Sequence, residues 1–125
     1  MGIYLEDAGR EGPLLFAVAT KDGSLVDQHF GHATAFAIYE YERGAVRFLE
    51  NRPVPQYCAP EAREDSGKIA LIIKAIGGCA GVISLRIGAP PRMALEKQGI
   101  KTFMMYERVE DAVRLAGESI LGKSG

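Results

Sequence analysis

At 125 residues, 47% of them apolar and 25% charged, the chain has the size and balance of one globular domain able to bury a core. Its 15 Lys and Arg against 16 Asp and Glu leave a formal charge of -1, without the basic excess on which nucleic-acid binding rests. No apolar run is long enough to span a bilayer, and the first residues lack the basic start and apolar stretch of a secretory leader. The expectation is therefore a cytoplasmic protein with no membrane or nucleic-acid partner, whose two cysteines are thiols.

Residues 1–13, closed by Gly12-Pro13, read as a flexible lead-in, residues 14–121 as a single domain and residues 122–125 as a disordered tail. LLFAVAT, at 14–20, is a continuous apolar run of strand length, suited to a central strand buried on both faces. KDGSLVDQHFGHA, at 21–33, is polar and glycine-containing and reads as a long loop, with Lys21, Asp22 and Gly23 forming its first turn. AFAIYEYE, at 35–42, alternates as a strand should, and Arg43-Gly44 turns it into AVRFLEN at 45–51, its hairpin partner.

After a proline-punctuated linker the period changes. Ile69, Ile72, Ile73 and Ile76 share one helical face, with Asp65 or Ser66 as cap and Gly77-Gly78 as stop. AGVISLR, at 80–86, is a second buried strand. Pro90 and Pro91 open a helix that Gly99 ends. IKTFMMY, at 100–106, is another buried-type strand, and Val109, Ala112, Val113, Ala116 and Ile120 mark a final amphipathic helix.

Two hairpin connections followed by two helical crossovers predict an α/β fold with a five-stranded mixed sheet. Right-handed crossovers give the order 3-2-1-4-5 with strand 2 antiparallel, the layout of a ribonuclease-H-like fold. This topology sends whatever follows strands 1, 3, 4 and 5 to one rim. His29 and His32 follow strand 1, Cys58 follows strand 3, and Arg86 and Gly88 follow strand 4 at the switch point where open sheets bind ligands. Cys79 precedes strand 4 and belongs at the opposite rim as a small apolar residue.

Each of these residues has a chemical and a plain reading. Imidazole and thiolate are good ligands for iron or zinc, so His29, His32 and Cys58 are candidate metal ligands, with Gly31 allowing unusual dihedrals between the histidines. A basic neighbour, Arg52 or Arg63, would lower the pKa of Cys58. The plainer reading has Phe30 packing inward while the histidines bond the backbone and Cys58 is incidental. Arg86 and Gly88 sit at a helix start that draws anions, weakened because Pro90 and Pro91 supply no N–H; otherwise Arg86 is a surface ion pair and Gly88 a turn. The pattern argues against a nuclease, since LLFAVAT carries no carboxylate to hold metal ions and Glu40 and Glu42 have no matching partners on strands 1 or 4. Cys58–His29 nucleophilic catalysis has no accompanying oxyanion-hole signal.

The segments FAVAT at 16–20, DG at 22–23, HFGHA at 29–33, IYE at 38–40, YC at 57–58, GVI at 81–83, IG at 87–88, LE at 95–96 and GI at 99–100 occur in this order. Together they resemble the NifX and NifB C-terminal family of nitrogenase iron-molybdenum cofactor biosynthesis proteins, over roughly residues 14–116. The resemblance implies a non-catalytic, cofactor-binding domain that holds an iron-sulfur cofactor or FeMo-cofactor precursor as cargo through His29, His32, Cys58, Arg86 and Gly88. Its partners would be the cofactor-donating and cofactor-receiving proteins of the nitrogenase assembly pathway. The radical-enzyme module of the two-domain members has no counterpart in this sequence. The alternative is a regulatory or interaction domain of the same fold that binds a simple metal such as zinc.

Overall fold

The chain begins its regular structure in the middle of the sheet. In the computed structural model, which describes residues 12–58 and 66–122, β1 (Leu14–Val18) lies between β2 (Ala35–Glu42) and β4 (Gly81–Ser84). Phe16, Ala17 and Val18 are completely buried, as a strand covered on both faces requires. β2 returns antiparallel to β1 and pairs with β3 (Ala45–Pro53) through the turn at Arg43-Gly44, where both residues have positive φ. β4 and β5 (Lys101–Met104) run parallel to β1, each reached through a helix. The order is β3-β2-β1-β4-β5, as predicted, with β2 antiparallel.

The helices cover both faces and divide the core. α1 (Ser66–Ala75), with Ile76 just past its end, and α2 (Ala89–Lys97) bury Ile72, Ile76 and Leu95 with Ala17, Phe36, Ile38 and Val82 of the sheet. α3 (Val109–Leu121) buries Val109, Val113 and Ala116 against Phe16, Val18, Tyr41 and Ile83. Alternate residues of β1 thus belong to different cores, the period-2 consequence of strand geometry. Gly117 of α3 lies where a Cβ would overlap the Tyr41 ring, so helix and sheet meet at a glycine.

Strand ends differ from expectation. β1, β4 and β5 stop earlier than their apolar runs, because pairing with neighbours rather than composition sets their length. β3 runs to Pro53, two residues beyond its predicted end. It carries a register shift opposite Ile38/Tyr39 that bends this border of the sheet. The lead-in up to residue 11, Arg63, the alternative cap Asp65 and the tail from residue 123 lie outside the described residues. No helix among the described residues is long and apolar enough to cross a membrane.

Candidate functional site

The loop after β1 is tied down by backbone bonds. The Gln28 N–H donates to the Ala19 carbonyl at 3.3 Å, Leu85 N–H to Gln28 at 2.9 Å and Phe30 N–H to Arg86 at 2.8 Å. His29 and Arg86 therefore form a parallel bridge that extends the β1–β4 alignment past the end of β4. The buried Ser84 hydroxyl donates to the same Arg86 carbonyl at 3.2 Å. The histidine loop is stitched to the switch point instead of hanging over it.

Phe30 sets the direction of its neighbours. It is 1% exposed and packs on Phe36 and Tyr57, with ring centroids 5.5 and 6.1 Å away. Residues Phe30–His32 make one 3-10 turn, closed by the His32 N–H to the His29 carbonyl at 3.1 Å. Side chains three apart eclipse in such a turn. The two imidazoles accordingly stack, 5.1 Å between centroids and 4° between planes. Phe30 does pack inward, as the plainer reading had it, and that inward packing leaves the histidines side by side.

Cys58 is brought to the same place by its backbone. Its N–H donates to the Gly31 carbonyl at 2.9 Å, while the Gln56 side-chain amide donates to the His32 carbonyl at 3.2 Å. Gly31 serves a purpose other than the one its position suggested. Its φ is not positive; a Cβ there would overlap the Cys58 sulfur, so glycine provides room for the thiol.

His29, His32, Cys58 and Arg86 border a hollow of about 230 Å³, with Gly31, Ile87 and Gly88 completing its wall. His29 is half-buried; His32, Cys58 and Arg86 are exposed. None of these lining residues is acidic. All five expected site residues share one hollow. Gly88 caps α2 with extended backbone and no side-chain cap bond, and the prolines occupy the first helical turn as expected. Ile87, Gly31 and Gln56 were not singled out as site residues. The IG pair held the only local hint of the first, and contacts between distant segments place the other two.

Of the two basic neighbours proposed for Cys58, Arg63 lies outside the described residues and Arg52 is elsewhere. Arg52 donates to Glu50 at 2.9 Å and to the carbonyls of Ala75 and Gly77, both at 3.1 Å, bracing the end of α1. It lies near Cys79, not at the hollow. Burial pushes the Cys79 thiol up to about 11, Arg52 opposing this and Glu50 adding to it. Cys79 is 6% exposed and Cys58 is exposed; both are free thiols. Among the described residues no group of three or more His, Cys, Asp or Glu side chains is arranged to hold one metal ion. His29, His32 and Cys58 border one shared hollow.

A family model described as "Dinitrogenase iron-molybdenum cofactor" matches residues 13–119. The chain is 42% identical over 110 residues to the FeMo cofactor biosynthesis protein NifB of Azotobacter vinelandii, covering 85% of this chain and 22% of that protein. It is 39% identical to the NifB of Frankia alni over 110 residues, covering 86% and 22%. The chain thus spans about a fifth of the length of these relatives. The crystal structure of PH0822 shares the fold at a TM-score of 0.61 and 22% identity, covering 89% of this chain and 92% of that one. With most of its length matched and its sheet in the expected order, the chain belongs to the dinitrogenase iron-molybdenum cofactor family, as a NifX/NifB C-terminal-like domain.

Proposed function

We propose that this domain binds and carries an iron-sulfur cofactor or FeMo-cofactor precursor without transforming it. The observation that carries this reading is the hollow lined by His29, His32, Cys58 and Arg86, with the two imidazoles stacked and none of the described lining residues acidic. Imidazole and thiolate address iron, and the guanidinium matches the net negative charge of an iron-sulfur cargo. His29, His32 and Cys58 would each reach a different part of the cluster, with Arg86 and the backbone at Gly88 holding its charged periphery.

Carriage favours a modest grip. A cluster held by four thiolates is released slowly, whereas one or two imidazoles and one thiolate leave most of the cargo open to an acceptor. The partners in this reading are proteins that donate and receive the cofactor during nitrogenase assembly, in the cytoplasm.

The test is an anaerobic titration of the protein with isolated iron-sulfur precursor of the iron-molybdenum cofactor, followed by electronic absorption. The parent is expected to saturate near one cluster per chain, and His29→Ala to bind about 10-fold or more weakly. Equal binding by both would overturn the reading.

A further inference from the structure

The two borders of the sheet are built differently. β3 carries Arg47, Glu50, Arg52 and the terminal Pro53 along a strand bent by its register shift, the features that keep a foreign strand away. β5 has none of these within Lys101–Met104 apart from Lys101 at its start. Among the described residues no strand pairs with the outer side of β5. Met104 is 56% and Tyr106 is 65% exposed there, and α2, which lies against β5, adds an exposed Met93.

Hydrogen bonding shows which backbone groups this border presents. The Lys101 N–H donates to Ala80 at 3.0 Å and the Met105 N–H to Ser84 at 3.1 Å, while the Glu107 carbonyl accepts from Val26 at 2.9 Å. Odd-numbered residues therefore turn inward, and Thr102, Met104 and Tyr106 turn their N–H and C=O groups out. Phe103 and Met105 pack into the core beneath α3, so the period-2 alternation persists past the end of regular β5.

We propose that this border pairs with its own copy: β5 of a second chain docks antiparallel about a two-fold axis at Met104, giving a ten-stranded sheet. In that register Met104 faces itself and Thr102 faces Tyr106, so every outward backbone group meets an outward partner. The same register sets Lys101 opposite Glu107 at both ends. Opposite charges sit where cross-strand side chains are closest, and shifting the register breaks the pairing. Because the partner strand runs the other way, the two histidine hollows lie at opposite ends of the joint sheet. Each chain therefore holds its own ligand, and the dimer bridges none.

Sedimentation velocity over a wide range of loading tests the state, with the full chain as it stands. The parent is expected to populate a dimer, Met104→Pro to be monomeric, and K101E and E107K each to weaken the dimer several-fold while the double variant K101E/E107K restores it. Met104→Pro removes an outward donor and no bond to β4. In a Cys58→Ser background, Met104→Cys should oxidise to a covalent dimer faster than Leu115→Cys on α3, since residues in a hydrogen-bonded pair stand at disulfide distance. A parent that stays monomeric at every loading would overturn the proposal. So would a dimer that survives Met104→Pro, or charge variants that fail to rescue each other.

Discussion

The Gly31 α-carbon faces the Cys58 thiol at the distance that only a missing side chain permits, and the Cys58 N–H bonds the Gly31 carbonyl at 2.9 Å. Gly31→Ala is expected to push the Cys58 segment off the histidine turn and to cost about 1–3 kcal/mol. Urea unfolding should show a lower midpoint, and replacing Cys58 by Gly in the same chain should recover part of it. Gly31→Ala with an unchanged midpoint would mean that the thiol moves aside freely.

Arg86 separates a structural backbone from an exposed side chain. Its carbonyl accepts from Phe30 and Ser84, while the exposed residue lines the hollow. Arg86→Ala should leave the unfolding midpoint in place and weaken binding of the proposed anionic cargo by about 5- to 10-fold. Arg86→Lys should restore part of the affinity, with binding to the parent falling as salt is raised. Titration at two ionic strengths reads both effects.

Cys79 makes stability depend on alkaline pH. Burial raises its pKa from 9.0 to about 11, so the folded protein holds this proton more tightly than the unfolded chain. The contribution is fully present below pH 9 and is lost as pH rises toward 11. A shift of this size corresponds to roughly 2–3 kcal/mol. Tyr39, also raised by burial, adds a loss in the same direction above its ordinary range. Denaturant unfolding at stepped pH should show the decline in the parent and a shallower one in Cys79→Ala. Alkylation of the native protein should mark Cys58 well before Cys79, as read by intact mass.

Gly117 reverses the usual helix rule. Alanine in a helix interior is ordinarily about 1 kcal/mol better than glycine. Here the added methyl would enter the Tyr41 ring, which is 4% exposed and has little room to yield. Gly117→Ala is expected to lower stability by about 1–3 kcal/mol, while Tyr41→Leu should soften that loss when combined with it. Thermal unfolding of the single and double variants measures the coupling.

Much of this architecture was legible in the chain, for reasons that can be named. The isoleucine face of α1 and the runs around Phe16, Val82 and Phe103 announce their periods locally, and hairpin and crossover rules then order the strands. That order alone brought His29, His32, Cys58, Arg86 and Gly88 to one rim. What escaped depends on contacts between residues far apart in the chain. Nothing near Gly31 reveals that a thiol packs against it. Nothing near Arg52 reveals that it braces the carbonyls of Ala75 and Gly77 instead of standing beside Cys58. The His29–Arg86 bridge was likewise hidden, because a loop of polar residues shows no pattern of its own.

The register shift opposite Ile38/Tyr39 bears on more than local shape. Fibrous growth requires adhesive borders at both ends of a sheet, so that each added unit exposes another site. A border roughened by an extra residue and studded with charge is a poor template, which leaves β5 as the border used in the proposed pairing. Association through the proposed β5 pairing is self-terminating, so it closes in pairs rather than filaments.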